Sequence, residues 1–267
     1  EEYQLDYLTS ILKIPYVALI SGIVMGGGVG ISVHGPFRVA TETTLFAMPE
    51  TAIGLFPDVG GSYFLPRLKG HLGLFLALTG HRLKGADVYH AGIATHYVHS
   101  SSLPQIEEAL TDLPAPVSNE AVDKVLKSFQ VGNIPEFGLK ERMFAINMVF
   151  SGESVDAILT TLEKEGSPWS LDMRKTLLSM SPTSLKLTFE QLRRGASMSL
   201  KECLIMEARM GNRIMQEHDF YEGVRATLID KDKSPKWKPP HLSMVSDEQI
   251  DKYFLEEFPD LDLDHLD

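Results

Sequence analysis

Cysteine is almost absent: the 267 residues contain one, Cys203. A single thiol cannot build an internal disulfide framework or a Cys-based zinc cluster, and it fits a reducing compartment. Long apolar runs are missing too. The longest stretch, Pro15 to Ser21, is far too short to span a bilayer and reads as a buried strand. The nine histidines show no H-E-x-x-H or related ligand spacing, so no metal is expected. No basic patch of the kind that a nucleic-acid binder carries stands out, and the formal net charge is −11. Basic residues are absent from the end of the chain, where Glu256, Glu257, Asp260, Asp262, Asp264 and Asp267 follow one another without Lys or Arg. That segment is expected to be a solvated acidic tail. The first residue is Glu1 rather than Met, no targeting sequence is visible, and the closing His265-Leu266-Asp267 is not a peroxisomal signal. An expected opening helix, Glu1 to Leu12, has no strand before it, which we read as a processed or truncated start.

What is present divides at about Ser100. Before it, short apolar runs alternate with glycine turns. Val17-Ala18-Leu19-Ile20 has the pattern of a strand covered on both faces. Phe37 to Thr41, Thr44 to Ala47 and Ala94 to Val98 read as further strands. His71 to Thr79 and Gly85 to Ala91 read as helices closed by Gly80 and Gly92, and the run after Gly26-Gly27-Gly28 as a helix stopped at Gly35. After Ser100 helical periodicity takes over. Val155, Ile158, Leu159 and Leu162 share a face, and Gly166 ends that helix. Ser181-Pro182 opens another, closed by Gly195. Ser199 to Glu202 is a capping box for a helix to about Glu217. Asp219 and Glu222 predict the same device for a helix to about Asp230. The expected organisation is an α/β core over residues 1–100, a helical region over 101–240, and the tail over 241–267. No site chemistry is apparent in the helical region.

Two stretches could carry chemistry. Three consecutive glycines let backbone approach a ligand closely, and N–H groups at the start of a helix are free to hold a negative oxygen. The spacing fits neither a G-x-G-x-x-G fingerprint nor a P-loop. Oxyanion binding and a plain tight turn both remain open there. Ser32 and His34 lie in the following apolar run and read as structural, because the G-x-S-x-G spacing is missed by one residue. The second stretch runs from Met48 to Gly61. Its two acids, Glu50 and Asp58, each follow a proline and otherwise have apolar, Thr or Gly neighbours. An apolar wall desolvates a carboxylate and raises its pKa, which suits acid–base work. Asp58 could instead cap a helix beginning after it. Lys231, Lys233, Lys236 and Lys238 around Trp237 could meet phosphates but read first as a solvated face.

Pro15 through Gly35, the Met48-Pro49-Glu50 turn and Phe56-Pro57-Asp58-Val59-Gly60-Gly61 together resemble the crotonase superfamily. Within it they resemble the 3-hydroxyisobutyryl-CoA hydrolases most. Leu78-Thr79-Gly80, Ala91 to His96, Met180 to Lys186, Asp219-Phe220 through Gly223-Val224-Arg225-Ala226 and Asp230 to Trp237 support the match, which weakens between about Leu103 and Ser179. The resemblance implies a crotonase-like spiral of ββα units with a C-terminal helical region. It implies an acyl-CoA thioester as substrate, coenzyme A being part of that substrate and no separate cofactor being needed. Two backbone N–H groups would hold the thioester oxygen, one mapping to Gly27 and the other to a loop upstream of Glu1. Glu50 matches the family's catalytic glutamate, base or nucleophile. Asp58 matches the acid these hydrolases place near the substrate hydroxyl, and Glu2 a substrate-contacting glutamate. Enoyl-CoA hydratases carry a second glutamate two residues after the triple glycine, where this chain has Gly30. The resemblance therefore points to hydrolysis of a 3-hydroxyacyl-CoA in valine breakdown, in the mitochondrial matrix. A single-glutamate enoyl-CoA isomerase is one alternative. A structural component of the mitochondrial ribosomal small subunit, docked on protein neighbours, is another. No membrane or direct nucleic-acid partner is expected, and homo-oligomerisation is left open.

Overall fold

β-Branched and apolar residues build six short strands early in the chain: β1 (Val17–Ile20), β2 (Ile23–Val24), β3 (Phe37–Ala40), β4 (Leu45–Phe46), β5 (Leu83–Lys84) and β6 (His96–Tyr97). Taken in successive pairs, the strands go one to each of two sheets. β1, β3 and β6 form one, all parallel, with Val17 beside Phe37 and Val39 beside His96. β2, β4 and β5 form the other, β2 parallel and β5 antiparallel to β4. Each pass along the chain thus adds one strand to each sheet, which is the turn of a ββα spiral. The computed structural model describes residues 1–257 and 259–267, and these divide into two compact units.

The first unit comprises residues 1–47, 82–142 and 264–267. Phe37 and Val39 pack with Val98, Ile106, Val122 and Leu126, so the helices Leu103–Thr111 and Asn119–Ser128 cover one face of the parallel sheet. The second unit comprises residues 48–81 and 143–263. It is helical, and its core gathers Phe56, Leu187, Met206, Met210, Ile214, Val245, Ile250, Tyr253 and Phe254. These units interleave along the chain, whereas the division expected from composition was sequential, with a change at Ser100. Local periodicity marks where strands stop, and β6 is the last strand among the described residues, but it does not report which segments pack together.

Most expected helices form with the expected ends. Ser154, Ser181 and Ser199 cap their helices by accepting from Ala157, Ser184 and Glu202 N–H groups, and Ser199 and Glu202 make the reciprocal box. Gly166 is left-handed at φ 67°. Three ends differ. Gly35 does not turn left-handed; the helix Gly27–Val33 ends on His34, and the Gly35 Cα lies against the Tyr16 ring. Gly195 does end its helix, Pro182–Gly195, but as its last helical residue rather than as a left-handed cap, and its missing Cβ lets the helix approach the Ser62 carbonyl. Asp219 caps nothing: the helix His218–Val224 has no side-chain cap, and a π-type turn, Arg225–Ile229, follows it. Asp219 is instead buried, accepting from the Ser181 hydroxyl at 2.7 Å and the Lys238 N–H at 2.8 Å.

The acidic end is not a solvated tail. Leu242, Val245, Ile250, Tyr253, Phe254 and Leu263 are buried. Arg209 pairs with Glu256 and Asp260, and Arg213 with Glu257. The cations missing from the segment itself are supplied by the helix Leu200–Ile214. The four lysines around Trp237 are exposed, and the Trp237 indole donates to the Ser179 carbonyl at 3.0 Å.

Candidate active site

Glu50 opens a single 3₁₀ turn, Glu50–Ile53, directly after Pro49. The turn must stop at once, and Gly54 stops it with φ 71°, its N–H returning to the Glu50 carbonyl. A side chain at Gly54 would strike the backbone carbonyl of Asp219, so the position needs glycine for space as well as for its left-handed backbone. The turn is further tied by the Ser181 N–H donating to the Thr51 carbonyl at 3.2 Å. The Glu50 side chain is therefore fixed by backbone on both sides.

Its surroundings remove water. Glu50 is 5% exposed, and its Oε2 is buried without a hydrogen-bond partner. Burial pushes its pKa well above the ordinary carboxylate value, and the negative charge of Asp58 pushes the same way; its own backbone N–H pulls back, and the Glu207 charge adds a smaller push upward. A carboxyl so placed holds its proton more tightly than an ordinary carboxylate, and once ionised it is the stronger base for being poorly solvated.

Asp58 stands half-buried eight residues on, close enough for its charge to bear on both Glu50 and Glu207. It is anchored through Phe56, which is fully buried in the helical core. Truncating such a phenylalanine typically destabilises by about 3–5 kcal/mol, so the chain has little freedom to slide at this point. Asp58 is not a helix cap. The N-cap of the short helix Gly61–Phe64 is Gly60, left-handed at φ 83°, and the Asp58 backbone carbonyl accepts from the Gly61 N–H at 2.8 Å.

The free N–H groups at that helix start are taken by a residue from far along the chain. Glu207 is fully buried and accepts from the Gly60 N–H at 2.7 Å, the Ser62 N–H at 2.9 Å and the Ser62 hydroxyl. Burial raises its pKa to about 8, partly offset by those three hydrogen bonds and reinforced by the Asp58 charge. No ion pair reaches Glu50 or Glu207 among the described residues. Sequence reasoning missed Glu207 by treating the helical region as inert. Its signal is positional: in the helix Leu200–Ile214 it shares the buried stripe of Cys203, Met206, Met210 and Ile214, where an apolar residue would be expected.

The other two candidates lie together in the first unit. The helix Gly27–Val33 starts at Gly27 after Gly26, which has φ 52°. Gly28 and Val29 donate their N–H groups to Met25 and Gly26. The Gly27 N–H meets no acceptor among the described residues and is available to a ligand oxygen. A Cβ at Gly27 would run into the Glu2 carboxylate, so Glu2 and the Gly27 backbone are immediate neighbours. Ser32, on the same helix, bonds back to the Gly28 carbonyl and is structural. Cys203 is buried, and desolvation raises its thiol to about 11, leaving it unreactive.

A sequence model described as Enoyl-CoA hydratase/isomerase matches residues 1–254. The chain is 57% identical over 258 residues to the mitochondrial 3-hydroxyisobutyryl-CoA hydrolase of Gallus gallus, covering 95% of this chain and 67% of that protein. Against the Homo sapiens protein of the same name the identity is 55% over 258 residues, with the same 95% and 67% coverage. Among solved structures, a carnitinyl-CoA dehydratase from Mycobacterium thermoresistibile superposes with a TM-score of 0.90 at 36% identity, covering 98% of this chain and 74% of that one. An enoyl-CoA hydratase from Rhodobacter sphaeroides 2.4.1 gives a TM-score of 0.83 at 35% identity, covering 95% and 72%.

Proposed function

The chain belongs to the enoyl-CoA hydratase/isomerase family, and from that premise we propose that it hydrolyses 3-hydroxyisobutyryl-CoA to 3-hydroxyisobutyrate and coenzyme A. The substrate is the one that the relatives at 55–57% identity are named for. The observation that carries the chemistry is the buried Glu50 carboxylate, fixed by its turn, raised in pKa and with one oxygen unpartnered. Such a group can take a proton from water as the water oxygen attacks the thioester carbon. It can equally attack that carbon itself, forming an acyl–enzyme anhydride that water then opens. On either route the C–S bond breaks, the thiolate leaves and is protonated, and one water is consumed.

Negative charge gathers on the thioester oxygen during attack, and the family resemblance assigns a donor for it to the Gly27 N–H, which meets no acceptor among the described residues. Asp58, partly exposed, is the group to meet the 3-hydroxyl, and Glu2 is assigned to substrate contact beside Gly27. Gly30 stands where a hydratase would carry its second glutamate, which supports hydrolysis over hydration. The names of the relatives support a mitochondrial location, and we assign the matrix.

The test is thiol release from 3-hydroxyisobutyryl-CoA by the full chain, run beside a 3-enoyl-CoA. Thiol release without a double-bond shift is the expected result. A double-bond shift with no thiol release would replace hydrolysis with isomerisation, and neither activity from folded protein would remove the enzymatic reading altogether.

A further inference from the structure

Asp58 sits in a turn that is gripped on both sides by side chains from distant helices. Upstream, the Gln191 amide nitrogen donates to the Pro57 carbonyl at 2.6 Å. Downstream, the Gly60 and Ser62 N–H groups donate to the two oxygens of Glu207, at 2.7 and 2.9 Å. Between these grips the backbone is unusual: Val59 has φ 50° and Gly60 has φ 83°. A β-branched residue does not hold a left-handed conformation unaided, so the surrounding structure must impose it.

Glu207 is an expensive way to impose it if the fold is all that matters. Its carboxylate is fully buried on the stripe of the helix Leu200–Ile214, and no cation pairs with it among the described residues. Well-packed apolar residues often replace buried charged groups without loss of stability. What an apolar residue cannot do is accept the Gly60 and Ser62 N–H groups at defined points, and those points determine where the chain turns after Asp58.

We propose that Glu207 is a positioning residue for the reaction: by holding the Gly60–Ser62 backbone it sets where the Asp58 carboxyl stands against the substrate's 3-hydroxyl. The inference rests on the assignment of Asp58 made above. Glu207 itself touches no substrate. Displacing a reacting or recognising group by about 1 Å can lower a rate on the order of 10²-fold, which is the scale available to a residue acting through another.

The experiment compares two thioesters, 3-hydroxyisobutyryl-CoA and isobutyryl-CoA, which lacks the hydroxyl. It uses the full chain carrying Glu207→Gln, Glu207→Asp, Ser62→Ala or Asp58→Asn, each assayed below its own unfolding transition. The quantity read is the ratio of kcat/KM for the two esters. Glu207→Gln is expected to shrink that ratio about tenfold or more, toward the Asp58→Asn value, and Glu207→Asp to recover part of it. If Glu207→Gln does not fold, Ser62→Ala, which deletes the Ser62 hydroxyl's hydrogen bond to Glu207, is expected to shrink the ratio to a smaller extent. A Glu207 that merely supports the fold would lower both esters in proportion, leaving the ratio at the wild-type value, and that result overturns the inference. Asp58→Asn serves to separate the two levels. If it keeps the wild-type ratio, the reading of Asp58 fails and the inference with it. If it loses the ratio while the Glu207 and Ser62 variants keep it, the inference alone fails.

Discussion

Two groups of acids within the helical unit carry the same functional group and behave in opposite ways. Glu50 and Glu207 are buried without a cation, and desolvation raises both. Asp232 and Asp260 are exposed and Glu222 partly so; all three receive arginine hydrogen bonds, from Arg225 or Arg209, and all three are lowered, Glu222 to about 2. The difference teaches that the formal charge of −11 says little about where acid–base chemistry can occur. An acid beside a guanidinium in water is a poor base at any working pH. An acid in an apolar wall, with only other acids to feel, is a good one. The carboxyl group itself is common to both groups; arginine hydrogen bonds and access to water are what separate them.

The comparison breaks first at Glu50. Glu50→Gln keeps the shape and removes the ionisable oxygen, so thiol release should fall on the order of 10²–10⁴-fold with thermal stability preserved or increased. The wild-type rate should rise with pH through the raised Glu50 pKa, because the working form is deprotonated, so the acidic limb should lie above the ordinary carboxylate range. Asp58→Asn should cost less, roughly 10–100-fold and selectively on hydroxylated esters. Glu207 sharpens the thermodynamic side. Its folded pKa, about 8, lies above the unfolded value, so the folded state binds the extra proton between about pH 4.5 and 8. Its contribution is present in full below that window and is lost as pH rises through it. Unfolding free energies of wild type and Glu207→Gln should therefore differ in slope across the window, by a few kcal/mol in total. At the other extreme, Arg209→Ala removes the partner of Glu256 and Asp260 at the surface. Denaturant titration should show a change within about 1 kcal/mol and no effect on thiol release.

How much of this was legible in the sequence follows from how local each cause is. The Glu50 turn was readable because Pro49 and Gly54 act within a few residues of the acid they fix. The serine caps at Ser154, Ser181 and Ser199 were readable for the same reason. Glu207 was not, since the N–H groups it holds belong to Gly60 and Ser62, more than 140 positions earlier in the chain, and nothing near Glu207 announces them. Asp219 was misread as a cap because its partners, Ser181 and Lys238, lie on either side at long range. The acidic end was misread because its arginines sit on a different helix. Gly195 was placed correctly at its helix end, but its packing against the Ser62 carbonyl was not legible, because close packing and a helix-ending turn select the same residue. In each of these cases the pattern named the residue type correctly and tertiary contact decided its use.

The central claim is that burial without a cation makes Glu50 the working carboxylate of this chain, base or nucleophile. The most direct test is a carboxyl carbon-13 NMR titration of the full chain, with the Glu50 resonance assigned by its loss in Glu50→Gln. The account expects Glu50 to titrate well above 4.5 while Asp260 titrates below its ordinary value. A Glu50 that titrates at or below the ordinary carboxylate value would contradict it.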